Sequence, residues 1–388
     1  KAGTWATLKS LQVYMPMPVP TCDGYAFDAN GSAPVAVAAP RNITFEVAEP
    51  NEDWCYRDTG FDPAARAKYV GTDPARACTM RTCFDVGRCS GGQGEAARLF
   101  VGTETPRSHD MVRLPQCLRQ CHRAAIVDEE AAACLLLPTV NLNCEWDQCD
   151  PATHAQLRAL KSWGARGRNH IIWDYNDAMN VKYRTDEALF MKTSMSIDHY
   201  RAGFDVPFPL LPNGVATHGT PAELAAAAQR GRHVLLSFMG VCQAQSSRPA
   251  LAALHNGRDV VGVCSGTPAA AHYDYKTLML SSVFSAAPAG NGLHSYRLAE
   301  AIFLGAIPVI VDAKLILPFC QVLDWRRFSV RVPPSSVAEL PQLLRKIPQH
   351  EVRRMQQRLR EVKRDYMLYP FETALALIDL RIRALLNG

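Results

Sequence analysis

Pro288-Ala-Gly-Asn-Gly-Leu-His-Ser-Tyr-Arg-Leu-Ala-Glu300 is the stretch on which the reading of this chain turns. It follows the strand candidate Val283-Phe-Ser-Ala286 and leads through a helical stretch, 295–304, into the apolar run Ile307-Pro-Val-Ile-Val311. A strand–loop–helix–strand order puts the loop at the carboxyl end of a parallel sheet, where open α/β sheets bind ligands. Gly290 and Gly292 let backbone approach a ligand closely. Ser295 can cap the helix, and the N–H groups of a first helical turn favour an anion. Arg297 and Glu300, three residues apart, share one helix face. The combination suits a nucleotide, with arginine for phosphate and glutamate for ribose hydroxyls. Two other readings use the same residues. The glycines can form a plain tight turn, followed by a surface Arg297–Glu300 pair. Gly290-Asn-Gly292-Leu-His-Ser295 also approximates G-x-G-x-x-G, and Asp312 lies 20 residues after Gly292, where dinucleotide enzymes carry a ribose-binding acid. Against that, serine replaces the third glycine and the motif falls late among the strands.

Outward from this loop the pattern repeats. Toward the N-terminus stand Val234-Leu-Leu-Ser-Phe238, a helix near 248–255, Asp259-Val-Val-Gly-Val263 and a helix near 273–280; beyond it stands Phe328-Ser-Val-Arg-Val332. A first array precedes these: strand Arg98-Leu-Phe-Val101, a helical stretch 111–131, strand Ala133-Cys-Leu-Leu-Leu137, a helix Leu157–Trp163 and strand His170-Ile-Ile-Trp173. Apolar strands alternating with helices imply parallel sheets covered on both faces. A chain of 388 residues exceeds what one core normally organises. The expected architecture is therefore two Rossmann-like α/β domains facing across a ligand cleft, with a boundary in the Pro- and Gly-containing stretch near 207–220. The expected segments are an N-terminal cysteine-containing stem (1–76), a first Rossmann-like domain (77–215), a second one (216–345) and C-terminal helices packing back across both (346–388).

Composition narrows the setting. The chain is 48% hydrophobic and 20% charged, as an ordinary globular protein is. No apolar run approaches the roughly 18 residues that cross a bilayer. The net charge of +5 is small. The densest basic group (Arg353, Arg354, Arg358, Arg360, Lys363, Arg364) interleaves with apolar residues as the solvated face of an amphipathic helix, which argues against nucleic-acid binding. Thirteen cysteines are present, ten of them before residue 150, with no C-x-x-C spacing of the kind zinc prefers. Such density points to disulfides and an oxidising compartment. Two glycosylation sequons, Asn30-Gly-Ser and Asn42-Ile-Thr, agree.

The 288–310 region resembles the donor-site motif of exostosin-type glycosyltransferases, glycosyltransferase family 47. That motif, P-x-G-x-x-x-x-S-x-R-x-x-E-A followed by G-x-x-P-V-I, is met here by Pro288, Gly290, Ser295, Arg297, Glu300, Ala301 and Gly305-Ala-Ile-Pro308-Val-Ile310. Further similar stretches are Leu317-Pro-Phe319, Leu323-Asp-Trp325, His255-Asn-Gly257, Tyr273-Asp-Tyr275, Cys83-Phe-Asp85, Gly167-Arg-Asn-His170 and Phe204-Asp-Val206, so the resemblance covers roughly residues 78–366. It implies a GT-B fold with an acceptor domain first and a nucleotide-sugar domain second, and inverting transfer from a UDP-sugar. The chain holds no D-x-D triplet, so no metal or other cofactor is expected, and positive groups must carry the departing diphosphate. Arg248, in a segment similar to the family's F-x-G…R-x-x-L with Gly240 and Leu251, is the second candidate cation, preferred over Arg258 in a turn. The donor-site set is thus Gly240, Arg248, Pro288, Gly290, Asn291, Gly292, His294, Ser295, Arg297 and Glu300, with His294 facing the phosphates as a hydrogen-bond donor. Asp174 and Asp177, after the strand ending at Trp173, are the candidate catalytic bases. His170 reads as a structural strand residue.

One departure from the family bears on the donor. Exostosins that use glucuronic acid carry P-R-G-R-R-L-G-S-F-R, and this chain has Ala289, Asn291 and Gly292 at the arginine positions before Leu293. A sugar carboxylate entering a partly dry pocket needs a cationic partner. The expected donor is therefore a neutral UDP-sugar. The expected partners are that donor and a glycan or glycoprotein acceptor, in the Golgi or ER lumen, with secretion as the alternative. A type II membrane anchor upstream and a homo- or hetero-oligomer are both compatible with the sequence. A catalytically silent exostosin-like module is the competing functional class, and a dinucleotide oxidoreductase the third.

Overall fold

Short apolar runs form the strands, and most end at or beside a glycine, a proline or a charged residue. In the computed structural model, the residues described are 45, 50–56, 59, 77–89, 97–102, 125–140, 151–164, 166–175, 185–211, 219–242 and 246–387. Among the described residues of the first half the strands are β1 (Arg98–Val101), β2 (Ala125–Ile126), β3 (Leu135–Leu137), β4 (Ile171–Asp174), β5 (Leu189–Lys192) and β6 (Val206–Pro207). They form two parallel three-stranded sheets, β2-β1-β3 and β4-β5-β6. A parallel bridge between Leu136 and His170 joins β3 to the start of β4. Asn169, at φ 62°, makes that junction, its side-chain amide donating to Asp85 O and Cys134 O and its Oδ1 accepting from Asp85 N. Asparagine tolerates the left-handed region because its side chain bonds locally.

The second half holds β7 (Val234–Gly240), β8 (Val260–Cys264), β9 (Ser282–Pro288), β10 (Ile307–Val311) and β11 (Val330–Val332) in one all-parallel sheet of order β11-β10-β9-β7-β8. Helix α1 (Pro151–Ala159) belongs to the first half. In the second, α2 (Pro221–Arg230) leads into β7, while α3 (Arg248–Ala253), α4 (Tyr275–Leu280) and α5 (Tyr296–Leu304) connect β7 to β8, β8 to β9 and β9 to β10. The chain then runs through α6 (Leu340–Arg345), α7 (Gln349–Val362) and α8 (Pro370–Leu386). The first strand, β7, lies inside the sheet between β8 and β9. Strand order therefore reverses between β7 and β9, opening a crevice at their carboxyl ends, where doubly wound sheets take ligands. The first half shows the same reversal between β1 and β3.

Alternation along β10 explains how the sheet is covered. Ile307, Val309 and Val311 join one apolar cluster with Leu236, Phe238 and Val260, whereas Ile310 faces a second with Leu298, Ile302 and Phe303. Helix α7 contributes Val352 and Met355 to the first cluster and Leu359 and Val362 to the second, which also contains Leu135, Ile172 and Phe190 of the first half. Segment 51–56 is stapled to the same region. Cys55 is disulfide-bonded to Cys320, Asn51 N donates to Gln321 O, and Glu52 pairs with Arg381 of α8 at 3.1 Å. Cys78–Cys83, Cys89–Cys134 and Cys242–Cys264 are also bonded, so all three cysteines after residue 150 are in bridges. No helix among the described residues is long and apolar enough to cross a membrane.

Three sequence expectations need correction. The helical stretch 111–131 does not extend over its described part, because Ala125–Ile126 is strand β2 and Val127 N donates to Leu99 O of β1. The helix expected at Leu157–Trp163 is α1 at Pro151–Ala159, followed by a separate 3-10 turn Lys161–Trp163. Strands β5 and β6 have no counterpart among the elements expected from the sequence.

Candidate functional site

The crevice between β7 and β9 gathers residues from four segments. Strand β7 ends Phe238-Met239-Gly240, β9 ends at Pro288, α3 begins at Arg248 and α5 begins just before Arg297. Arg297 Nε donates to Met239 O at 2.9 Å, and its guanidinium lies over the Phe238 ring, 5.4 Å from the centroid. This pins the arginine against the end of β7, so that a Cβ on Gly240 would sit 2.0 Å from Arg297 Nη2. Only glycine leaves the guanidinium its place. Arg248 Nε donates to Ala289 O at 3.0 Å and its Nη1 to Val241 O at 2.9 Å, so this side chain ties the loop after β7 to the loop after β9. A Cβ on Gly290 would lie 3.4 Å from Arg248 Nη2 and 3.0 Å from His294 O.

Both guanidiniums thus spend part of their donors on carbonyl oxygens. Neither forms an ion pair within 4.0 Å among the described residues, although Arg248 is only 7% exposed. Burial lowers the Arg248 pKa, and the neighbouring Arg297 charge lowers it further. Two adjacent, partly desolvated cations lacking a carboxylate form a site that an anion would stabilise. Glu300, three residues after Arg297, does not neutralise it. Its Oε2 instead accepts a hydrogen bond from Tyr275 Oη of α4. Glu300 is 9% exposed; burial raises its pKa, while the Tyr275 bond and the Arg297 charge pull it down. The Tyr275 phenol is pushed up by burial and then by Glu300. Tyr275 is a site residue that sequence reasoning missed: it lies within a family-like stretch, but nothing in its spacing links it to a glutamate on the next helix.

Of the sequence-selected residues, Gly240, Arg248, Gly290, Arg297 and Glu300 converge here, with Pro288 and Gly292 buried beside them and Asn291 exposed on the loop. Two roles are corrected. Ser295 occupies the N-cap position of α5, but its hydroxyl makes no capping bond and is buried without a partner. His294 is not an open phosphate donor. Its ring is 1% exposed, and Nδ1 lies 3.0 Å from Ser295 O. A carbonyl only accepts, so Nδ1 carries the proton, and Nε2 of the neutral ring can only accept. Burial pushes the imidazole down to about 4, which keeps it neutral near pH 7. Its backbone N–H donates to Ser194 Oγ at 3.1 Å, on the segment after β5. His294 therefore joins the loop to the first half of the chain.

Asp174 stands at the carboxyl end of β4 with its side chain 5% exposed, 3.4 Å from Lys192 Nζ at the end of β5. Asp177, Asn30 and Asn42 lie outside the described residues. His170 is a strand-edge structural residue, its two nitrogens 3.1 Å from Arg168 O and Ser162 Oγ. Asp312, the ribose acid of the dinucleotide reading, accepts from the backbone of Lys314 and Leu315 and faces Arg331, which makes it a turn anchor. Arg258 sits exposed in the turn before β8. Among the described residues, no group of three or more His, Cys, Asp or Glu is placed to hold a metal ion.

Comparison with known proteins gives the lineage. Exostosin-2 of Bos taurus is 29% identical over 350 residues, covering 80% of this chain and 48% of that protein. Exostosin-1 of Drosophila melanogaster is 26% identical over 319 residues, 71% of this chain and 41% of that protein. The Exostosin-1 homolog of Caenorhabditis elegans is 24% identical over 336 residues, 75% of this chain and 85% of that protein. The chain thus spans about half the length, or less, of the first two relatives. Residues 114–347, more than half of the chain, match the Exostosin GT47 domain, and the region includes every member of the β7–β9 cluster. The chain belongs to the exostosin GT47 family.

Proposed function

We propose that this protein is an inverting glycosyltransferase that moves a sugar from a UDP-sugar to a glycan or glycoprotein acceptor in the lumen of the secretory pathway. The observation that carries the reading is the Arg248–Arg297 pair, two buried or half-buried guanidiniums without a carboxylate partner among the described residues, at the switch point of a doubly wound sheet and beside a carboxylate that is held away from them. In this reading the arginines bind the diphosphate and Glu300 accepts from the ribose hydroxyls. Residues 77–215 form the acceptor domain and 216–345 the donor domain of a GT-B arrangement, and 346–388 pack across the two. An acceptor hydroxyl attacks the anomeric carbon, the bond to the β-phosphate oxygen breaks, and the hydroxyl proton passes to Asp174 or Asp177. Asp174 is already engaged by Lys192, so Asp177 is the first of the two to replace. Charge developing on the leaving diphosphate is met by fixed cations, which need no reorganisation at that moment. The four disulfides among the described residues suit an oxidising lumen.

A nucleotide panel read by thermal stabilisation separates this function from its rivals. A ligand that binds only the folded state raises the melting temperature by mass action. UDP should stabilise the protein and NAD(P) should not. Stabilisation by NAD(P) alone would favour a dinucleotide enzyme, and no response to any nucleotide would favour a silent module.

A further inference from the structure

We infer that Tyr275 is a positioning residue of the nucleotide site: its hydroxyl holds Glu300 away from Arg297, keeping the carboxylate and the guanidinium available for separate parts of one ligand. This rests on the UDP reading and deepens it. A glutamate three residues after an arginine on one helix lies within reach of it. Here the pair is absent, and each partner is drawn elsewhere. Arg297 is taken by Met239 O and the Phe238 ring at the end of β7. Glu300 is taken by Tyr275, on a different helix that packs beside α5 through Leu280, Ala301 and Leu304. One carboxylate oxygen is occupied by the phenol, and the other accepts no hydrogen bond among the described residues, which leaves it for a ligand.

The surrounding charges make the arrangement necessary. Glu300 is acted on by Arg297 of its own helix, and Tyr275 by both Arg297 and Arg248 of α3. Lys276, next to Tyr275, is turned to Glu223 of α2 at 2.8 Å and so does not compete for Glu300. Without the phenol hydroxyl, a glutamate this buried has two outcomes. It takes up a proton at higher pH, or it swings to Arg297 and removes that cation from the phosphate site. The first outcome weakens ribose recognition alone, and the second weakens ribose and phosphate recognition together, although Tyr275 need not touch the nucleotide.

The test is calorimetric titration of UDP between pH 5 and 8.5 into wild type, Tyr275→Phe, Glu300→Gln and the double variant, each checked for an unchanged melting profile. Tyr275→Phe keeps the ring and should fold. Its UDP affinity should fall about tenfold at pH 7, as expected for loss of a bond to a charged group. The acid side of its affinity profile should move to higher pH, because the phenol lowers the Glu300 pKa and its removal raises it. A purely structural tyrosine would not move that profile. In the Glu300→Gln background the tyrosine change should have little effect. Unchanged affinity and pH profile in Tyr275→Phe, or an undiminished loss in the Glu300→Gln background, overturns the inference while the UDP reading stands. A wild type that binds no UDP overturns both.

Discussion

Gly240→Ala isolates the geometry of the phosphate site with a single methyl group. Gly240 is not among the positive-φ glycines, so alanine can adopt its backbone conformation. The obstacle is space. The new Cβ would lie 2.0 Å from Arg297 Nη2 and 2.6 Å from Cζ, whereas ordinary contact begins near 3.4 Å, so the guanidinium must retreat by about 1.4 Å. That retreat breaks its bond to Met239 O and removes it from the Phe238 face. Fold stability should change by less than about 1–2 kcal/mol, since one hydrogen bond is lost and backbone entropy of the unfolded chain is reduced. Ligand binding should suffer more. Misplacing a charged donor costs about 1.5–3 kcal/mol, or roughly ten- to a hundredfold in UDP affinity. The assay is calorimetry in a double-mutant cycle with Arg297→Ala. Where the guanidinium is already gone, the methyl has nothing to displace, and Gly240→Ala should cost less than about threefold. Wild-type affinity in the single variant, or an equal loss in both backgrounds, would refute the claim that Gly240 exists to seat Arg297.

Other consequences are open to direct measurement. His294 has a folded pKa of about 4, below the usual 6.5, so its contribution to stability is intact above pH 6.5 and lost as pH falls toward 4. The full loss is about 3 kcal/mol, and His294→Gln should flatten the pH dependence of the unfolding midpoint over that window; an unchanged slope contradicts it. The Cys55–Cys320 bridge spans 265 residues and Cys78–Cys83 spans 5. Chain-entropy reasoning gives about 5–6 kcal/mol against about 2 kcal/mol for their removal, so denaturant titration of the two double alanine variants should rank them in that order. Transfer or donor hydrolysis should persist in EDTA, and loss on chelation with recovery on manganese would contradict leaving-group stabilisation by Arg248 and Arg297. In a UDP-sugar hydrolysis panel, neutral sugars such as galactose, xylose or arabinose should turn over faster than glucuronic acid, because Ala289, Asn291 and Gly292 offer a carboxylate no cation. Fastest turnover of UDP-glucuronic acid would reverse that assignment.

The second half of the chain is more legible than the first, for a physical reason. Strands β7 to β10 are apolar runs of five to seven residues, rich in valine, isoleucine and leucine in β7, β8 and β10, with helices of matching period between them. Strands β5 and β6 have four and two residues, and β5 ends on Lys192, whose charge is buried against Asp174. A pattern reading cannot anticipate that pairing, since it depends on β4 lying alongside. The same holds at the site. Local spacing puts Arg297 and Glu300 on one face, but only tertiary structure separates them, through Met239 O on one side and Tyr275 on the other. The expectation for His294 fails because a loop histidine looks exposed in sequence, whereas the loop packs against Ser194, 100 residues upstream.

The central claim is that Arg248 and Arg297 bind a nucleotide diphosphate while Glu300 reads its ribose. Calorimetric titration of UDP and of 2′-deoxy-UDP into wild type, Arg248→Ala, Arg297→Ala and Glu300→Ala tests it most directly. The account predicts roughly ten- to a hundredfold weaker UDP binding in each variant. It also predicts that wild type discriminates against the deoxy ligand and that Glu300→Ala alone loses the discrimination. Wild-type affinity in either arginine variant, or discrimination undiminished without Glu300, would contradict it.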